Sequence, residues 1–556
     1  MRNAISILGL LLASSSLIAC DQEYDPDAPA IDPNAPRVRI TSPARGTFAG
    51  DVREITVKGI ATDDQGVTSV VVNGVSAAVQ ADGSWEVNVP VTDGTNLLHA
   101  IAKDAQDNVG KETRAVVTGP LESISSPVPS ALTAAMTAQA FDAVGRGITG
   151  FMTGPTLMNT VTPLNPVIDA GAPEGPDCLY VQGSITNVSL DATTKITLSP
   201  QTGGIYLSAE LVRPRINMGL NWSAACLDGA RAVTVSAQKI SINGVLKVGV
   251  NGGKFEIYLD DEDVRITGFD VDLGGIPGEI IDMLHLDTAL GPILAWVTEK
   301  VAVPYLNDAL AGLNDTKTVD VLGTPVNINV KPARIEIDPA GLLIELDTEM
   351  RAQNDSASPG FVYVPNVIPS MDMTRGFELA VADDAANQLL SSYWAADGMT
   401  TGLDLNNGSY GEVGKLFDRV EMTAKVPPFI DASGEKLKLT VGDLMATFKN
   451  GPMIATQVAI NAEVELKVVP GANGALRLDV GAPDVYVDIL DELTEGANQL
   501  SNAQFEAVTS FGLSRIMAFG SGAVGAVPLP AFGGVSVQEV TIEDQDGYLV
   551  IGGEIE

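Results

Sequence analysis

The chain is poor in cysteine, histidine, aromatic residues and basic residues. Its 556 residues include 3 cysteines, 2 histidines, 5% aromatic residues and 33 basic residues against 70 acidic ones, for a formal charge of −37. Such a charge repels nucleic acid and anionic surfaces, so we expect no nucleic-acid partner and no capture of lipopolysaccharide by a basic tip. No later segment has the ~20 uninterrupted apolar residues that a permanent transmembrane helix needs.

Catalytic motifs are also missing from the sequence. It contains no Gly-x-Ser-x-Gly, no His-Glu-x-x-His and no glycine-rich phosphate loop. The acidic run 260–263 (Asp-Asp-Glu-Asp) is predicted to form a solvated turn, which we favour over an acid/base pair. We therefore expect a protein that is not an enzyme and that has no cofactor and no metal centre.

The N-terminus has the pattern of an export leader. Arg2 precedes an apolar run from Ile5 to Leu12, which is too short to remain as a membrane-spanning helix. Leu17-Ile18-Ala19-Cys20 resembles the bacterial lipobox, in which Cys20 receives a diacylglycerol and a further acyl chain. The alternative is an ordinary signal peptide with an incidental cysteine. We predict a signal peptide over 1–19 and a lipid-anchored envelope protein, with the outer membrane or cell surface favoured over the inner membrane.

The segment 20–36 is the predicted tether. After Cys20 it is acidic, rich in proline and nearly free of aliphatic side chains, so it cannot bury apolar surface. In an extended polyproline conformation this segment would span up to about 50 Å. The sequence thus predicts a free link between the membrane and the first domain.

Two cysteines remain once Cys20 is assigned to lipid. In an exported protein Cys178 and Cys226 most simply form one disulfide. The alternative is a free catalytic thiol, which would need a nearby histidine, and nothing in the sequence places His99 or His285 beside a cysteine. We therefore predict the disulfide.

Residues 37–119 have the pattern of a β-sandwich. Short alternating runs are separated by turn pairs such as Asn73-Gly74 and Asp82-Gly83, in which both residues readily adopt positive φ. About seven strands are expected, and the string DDQGVTSVVVNG…DGSWEVNVPVTDGTNLLHAIAKDAQDNVG resembles bacterial Ig-like spacer domains. Four acidic side chains could bind calcium at one end, although we favour simple turn formation: Asp63, Asp64, Asp104 and Asp107.

The remainder has the pattern of one unit occurring twice: a helix, a meander of long strands, a second helix and a hairpin. Helices are predicted over 130–152 and 279–313 in the first copy, the latter kinked at Pro304. In the second copy they are predicted from Asp383 to Ala396 and over 502–519. Asp383 would cap its helix and Gly398 would end it. We favour duplication over chance similarity because the two final hairpins also match.

Three strings in this region resemble the tubular lipid-binding (TULIP) superfamily, nearest its bactericidal/permeability-increasing and lipid-transfer members. Residues 382–398 (ADDAANQLLSSYWAADG) resemble the helix that opens the second barrel, and 527–552 resemble the C-terminal hairpin. The pair Cys178 and Cys226 is similar to the single disulfide of the first barrel. The chain departs from antibacterial members in its acidic charge, and from serum members in its lipid anchor and spacer.

The resemblance implies an α+β fold. An N-terminal Ig-like β-sandwich would be followed by two tandem super-rolled β-sheet/long-helix barrels, over 120–350 and 351–556. A sheet curved around a helix leaves an elongated apolar gap, and burial of a 16-carbon acyl chain there is worth about 13 kcal/mol gross. We expect a phospholipid or fatty-acyl ligand.

Two functions are consistent with these features. The favoured one is a membrane-anchored lipoprotein that binds or transfers lipid without catalysis. The alternative is a structural or adhesive surface lipoprotein with packed barrels that contacts protein partners. The candidate lipid-contacting residues lie mainly on the apolar stripes of the predicted helices: Leu132, Met136, Val144, Ile148, Leu290, Ile293, Leu294, Val297, Leu389, Leu390, Trp394, Phe505 and Ile516.

Overall fold

The computed structural model describes residues 34–283 and 317–555 apart from short gaps, together with residues 26, 27 and 30. The gaps fall at 156, 173, 175–177, 252–253, 322–323, 356, 375, 407, 409, 435, 471–475, 491–499 and 526–536. Cys20 and most of the helix predicted over 279–313 therefore lie outside the described residues. No helix in the described part of the chain is long and apolar enough to cross a membrane.

Residues 37–118 form a β-sandwich-like domain, here called the N-terminal sandwich. Eight strands follow the pairing order β1-β3-β6-β5-β4-β7-β8-β2, one more than the expected seven. Alternating side chains from its strands, among them Val57, Trp85 and Leu98, fill its core. The strands are β1 (Arg37–Ser42), β2 (Thr47–Gly50), β3 (Glu54–Thr62), β4 (Val67–Val72), β5 (Val75–Val79), β6 (Ser84–Pro90), β7 (Gly94–Asp104) and β8 (Val109–Thr118).

A seven-stranded sheet, here called the central sheet, joins the two halves of the remaining chain. Its order is β20-β21-β22-β10-β24-β33-β32, which, apart from the additional edge strand β20, is symmetric about the antiparallel pair β10 and β24. Each of these two inner strands continues directly into a helix and pairs on its other side with a long hairpin. Its strands are β10 (Val128–Thr137), β20 (Lys317–Val321), β21 (Thr324–Asp338), β22 (Gly341–Ala352), β24 (Phe377–Ala382), β32 (Val537–Gln545) and β33 (Tyr548–Ile555).

The first meander, β11–β19, folds into a five-stranded and a four-stranded sheet. Helix α1 (Ala138–Thr153) packs against β13, and α2 (Leu157–Val161) and α3 (Gly278–Met283) against β12. The strands are β11 (Ile168–Gly171), β12 (Tyr180–Ser189), β13 (Lys195–Gln201), β14 (Gly204–Val212), β15 (Arg215–Ala224), β16 (Leu227–Ser236), β17 (Lys239–Asn251), β18 (Lys254–Thr267) and β19 (Asp270–Val271).

The second meander, β25–β31, forms one sheet around two long strands. Helix α4 (Asp383–Ala395) precedes it, the short α5 (Val413–Leu416) lies within it, and α6 (Asn502–Gly525) follows. Two short strands, β9 (Leu121–Glu122) and β23 (Phe361–Val362), pair with each other in a separate two-stranded sheet. The meander strands are β25 (Thr401–Asp404), β26 (Arg419–Ala424), β27 (Phe429–Asp431), β28 (Leu437–Asn450), β29 (Met453–Pro470), β30 (Leu476–Val480) and β31 (Asp484–Ile489).

The prediction of a helix over 130–152 is wrong for the first third of this range. Residues up to Thr137 form β10, and the helix begins only at Ala138. Leu132 and Met136 are four residues apart, a spacing that places two side chains on one face of either a helix or a strand. Because β10 lies between two other strands and is buried on most positions of both faces, it lacks the alternation that identifies a half-exposed strand.

The predicted free tether is also corrected in part. The backbone N–H of Ala503 donates to the carbonyl of Pro26 at 3.2 Å, and that of Ala30 donates to the carbonyl of Leu500 at 2.8 Å. Ala30 also packs against the core of the second meander. The described tether residues therefore lie along the start of α6, because their backbone groups find partners there.

Candidate functional site

The inner face of the first meander is aliphatic. Alternate residues of its long strands point inward and are buried, as on β14 and β17. Between residues 138 and 283, the buried polar side chains in the described part of the chain are Thr194 and Ser223. The inward side chains include Leu198, Leu207, Leu211, Met218, Leu220, Ile242, Leu246, Phe255 and Ile257.

Helix α1 covers the edge of this meander at β13. The Thr149 hydroxyl accepts the N–H of Ile196 at 3.0 Å, and it donates to the Gly145 carbonyl at 2.8 Å. A Cβ added at Gly145 would lie 2.8 Å from the Ile196 carbonyl oxygen, so the helix and strand backbones are in close contact. The contact satisfies an edge N–H that would otherwise be unpaired.

The predicted lipid-contacting residues do not form one stripe. Leu132 and Met136 lie on β10 of the central sheet, whereas Ile148 and the half-buried Val144 lie on α1. All four belong to, or pack against, the hydrophobic core that links the first meander with the central sheet. The remaining first-half candidates lie outside the described residues: Leu290, Ile293, Leu294 and Val297.

The second-half candidates divide between two cores. On α4, Leu389 packs into the core of the first half, and its neighbour Leu390 packs into the core of the second meander. Trp394 donates its indole N–H to the Ala424 carbonyl at 2.9 Å and lies 5.9 Å from the Phe48 ring of the N-terminal sandwich. Phe505 is half-buried on α6 against the second core, and Ile516 lies on the same helix, where the side chain is not described.

Polar side chains on α4, which sequence reasoning missed, attach it to neighbouring strands. Gln388 accepts the N–H of Met350 at 2.7 Å and donates to the carbonyls of Ile124 and Ser126. Asn387 exchanges two hydrogen bonds of 2.8 Å with the backbone of Ile430. These bonds join the helix to β22, to β27 and to the segment before β10, so the buried amides of Asn387 and Gln388 have hydrogen-bond partners.

The start of α4 holds two buried carboxylates. Asp383 does not cap the helix with its side chain, since Ala382 is the N-cap residue. It accepts instead the N–H of Ala432 at 2.9 Å, and Asp384 accepts the N–H of Val364 at 3.2 Å. Burial raises the pKa of Asp383 to about 6, and burial together with the charge of Asp383 raises the pKa of Asp384 to about 8.

The predicted end of this helix is also shifted. Asp397 rather than Gly398 adopts the left-handed conformation after α4, with φ of 59°. The N–H of Gly398 bonds the Tyr393 carbonyl at 2.9 Å, and a Cβ at Gly398 would overlap the Tyr393 ring. Glycine is therefore needed there for close packing rather than for its backbone freedom.

A buried ionic cluster joins the N-terminal sandwich to the second meander. The Arg45 guanidinium bonds Asp443 and lies 3.1 Å from Glu112 and 3.4 Å from Asp488. A register shift near Asp443, where φ is 42°, turns this carboxylate out of β28. Burial raises the pKa of Asp488 to about 7 against the opposing effect of Arg45.

An apolar seam surrounds this cluster and completes the junction. Val117 and Leu97 of the sandwich pack with Val362 and Val426. At Gly442, an added Cβ would lie 2.3 Å from the Ala115 side chain, so the bulge of β28 requires glycine for this close approach. The sandwich therefore packs directly on the second half of the chain.

The predicted disulfide is confirmed. Cys178 and Cys226 are bonded, with their Cα atoms 4.8 Å apart, and the bond ties the segment just before β12 to the turn between β15 and β16. Cys20 lies outside the described residues, so its lipidation stays a prediction.

The acidic residues that the sequence analysis considered lie in a strand bulge and in turns. The run 260–263 is exposed, but it lies at a bulge within β18 rather than in a turn. Asp104 accepts the N–H groups of Gln106 and Asn108, and Asp63 accepts that of Gln65, as expected for turn formation. Among the described side chains, no group of three or more His, Cys, Asp or Glu converges to hold a metal ion.

Comparison with known proteins gives one family match and several distant structural likenesses. The family described as Glucodextranase, domain B, matches residues 36–119. Among solved structures, lipopolysaccharide binding protein is 14% identical with a TM-score of 0.37, covering 77% of this chain and 99% of its own. P47 from Clostridium botulinum A2 is 10% identical with a TM-score of 0.26, covering 77% and 98%. No curated protein matches.

Proposed function

We propose that this chain is a lipid-anchored lipoprotein of the cell envelope that binds or transfers lipid in the apolar interiors of two tandem barrels, without catalysis. The observation that carries the proposal is the aliphatic inner face of the first meander, in which the described interior has no buried charged side chain. A hydrocarbon tail needs such a surface, because it offers neither donors nor acceptors to buried polar groups.

The central sheet supports the tandem arrangement. Apart from the edge strand β20, its order is symmetric, with β21-β22-β10 on one side and β24-β33-β32 on the other, and α1 and α4 begin directly after the two inner strands. Long strands with register shifts, as between Val441 and Leu444 on β28, bend the sheets, which favours a rolled shape over a flat one.

Each methylene of a bound tail that is buried in such an interior adds about 0.8 kcal/mol to the free energy of binding.

The test is the lipid content of protein purified without detergent as a Cys20→Ser variant, which removes the anchor but keeps the interior. We expect mass spectrometry of an organic extract to find a phospholipid or fatty acid in near-stoichiometric amount. Val248→Trp, at a half-buried inward position of β17, should reduce this amount severalfold. The matched control is Tyr206→Trp, because Tyr206 is 40% exposed on β14 and faces away from the interior.

Absence of lipid from the Cys20→Ser protein and its control would contradict the proposal. The chain would then be better explained as a structural or adhesive surface lipoprotein with packed barrels. Equal lipid content in Val248→Trp and Tyr206→Trp would show that the bound lipid does not occupy the first meander.

A further inference from the structure

One end of the second meander combines an exposed hairpin tip with the attachment point of the tether. The hairpin between β28 and β29 has a tip of four exposed, uncharged residues, Gly451 to Ile454, in which Met453 is 69% and Ile454 54% exposed. Adjacent exposed apolar side chains form a surface that an apolar partner can cover. The second feature is the attachment of the tether residues Pro26 and Ala30 to the start of α6.

The course of the chain places these features together. β31 runs antiparallel to β29, and just after it the Leu490 N–H bonds the Gln457 carbonyl at 2.8 Å. Gln457 is four residues from Met453, which corresponds to about 13 Å of strand. Helix α6 begins at Asn502, and the ring of Phe511 in its third turn lies 6.0 Å from Phe448, three positions before the tip. From there the helix runs past Ile460 to β30, which pairs with the far end of β29, so its start points towards the tip. The start of α6 and the tip therefore share one end of the meander.

The length of the remaining chain limits how far this end can be from a membrane. Pro26 follows Cys20 by six positions, and the fully extended chain between them reaches about 20 Å. Acyl chains on Cys20 would thus hold the start of α6 within that distance of the bilayer surface. The N-terminal sandwich does not lengthen this reach, because it follows the attached residues and packs on the second meander through Arg45 and Asp443.

The geometry points to the hairpin tip 451–454 as a membrane-contacting surface whose occupant is the bilayer that holds the acyl chains of Cys20. This inference rests on the lipid anchor of the proposed function. The tip itself carries no charge, so it can enter the interface of a neutral bilayer. The net charge of −37 on the whole chain would instead keep the protein away from an anionic bilayer. The second half of the chain then faces its own membrane.

The experiment uses the full acylated protein in phosphatidylcholine vesicles that contain lipids with a nitroxide quencher in their acyl chains. An environment-sensitive fluorophore is attached at Met453→Cys or, as the control, at Tyr258→Cys, an exposed position of β18 in the first meander. Cys178 and Cys226 are disulfide-bonded and do not react. We expect quenching at position 453 to be severalfold stronger than at 258. Equal quenching, or stronger quenching at 258, would overturn the inference.

A second pair of variants tests the tether attachment. Ala30→Pro removes the N–H that bonds Leu500, whereas Ala30→Gly keeps it. In the labelled Met453→Cys background, quenching should fall severalfold with proline and persist with glycine. Flotation separates the two proposals: acylated protein that does not float with vesicles contradicts the anchor and this inference together. Protein that floats with position 453 unquenched contradicts the membrane-contacting surface alone.

Discussion

Arg45 of the N-terminal sandwich and Asp443 of the second meander are ion-paired, although 398 residues separate them in the chain. Asp443 is fully buried, and its other carboxylate oxygen accepts the N–H of Ala115 at 3.2 Å. Asp488 accepts the N–H of Thr113 in the same way. Two carboxylates of the meander thus accept backbone N–H groups of β8, and both also face the guanidinium of Arg45.

Replacement of Arg45 should therefore strongly destabilise this junction. Arg45→Met leaves Asp443 and Asp488 buried without their cation, and loss of one partner from such a cluster costs about 3–5 kcal/mol. We expect a lower denaturation midpoint in urea and faster proteolysis between the sandwich and the meander. Arg53→Met is the matched control, because Arg53 is 61% exposed and pairs at the surface. Similar effects of both substitutions would show that the cluster does not hold the junction.

The pH dependence of stability should report on Asp384. Its pKa is raised from 3.8 to about 8, so between these values the folded protein keeps a proton that the unfolded chain releases. The folded state then binds more protons, and stability falls as pH rises through this window. Asp384→Asn remains neutral and can still accept the Val364 N–H, so its urea midpoint should fall less between these pH values.

The control for this measurement is Asp64→Asn in the exposed β3–β4 turn, which should follow the wild-type curve. A wild-type midpoint that rises with pH across the window, or an Asp384→Asn curve that overlays it, would show that the carboxyl group is ionised in the folded protein.

The disulfide should contribute measurably to the free energy of unfolding of the first half of the chain. It closes a separation of 48 residues, for which chain-entropy arguments give about 4 kcal/mol. The double variant Cys178→Ser/Cys226→Ser should lose about this amount in urea unfolding under oxidising conditions. Addition of a reductant should lower the wild-type midpoint to that of the double variant and leave the variant unchanged. If the reductant also lowers the urea midpoint of the double variant, the loss of stability has a cause other than the disulfide.

Local signals in the sequence predict much of the fold. Turn pairs such as Asn73-Gly74 and Asp82-Gly83 identify the hairpins of the sandwich, because these signals depend on near neighbours. The pair of Arg45 and Asp443 could not be predicted, since it depends on how two distant segments pack. The same holds for Gln388, whose partners lie on β22 and on the segment before β10, far from it in the chain.

Two glycines of α1 should respond in opposite directions to the same substitution. Glycine in a helix interior usually costs about 1 kcal/mol relative to alanine, so Gly150→Ala, where an added Cβ has no neighbour within 4 Å, should stabilise the protein. At Gly145 the added Cβ would lie 2.8 Å from the Ile196 carbonyl oxygen, and that backbone cannot yield without breaking the bond from Ile196 to Thr149. Gly145→Ala should therefore destabilise, despite its better helix propensity.

The measurement is the urea midpoint of the two variants, combined with hydrogen exchange at the Ile196 amide. We expect exchange at Ile196 to accelerate in Gly145→Ala and to remain at the wild-type rate in Gly150→Ala. Because α1 covers the edge of the first meander, Gly145→Ala should also lower the amount of co-purifying lipid, whereas Gly150→Ala should not. If both alanine variants are stabilised equally, α1 is not seated on β13 as described, and the interior is open along that edge.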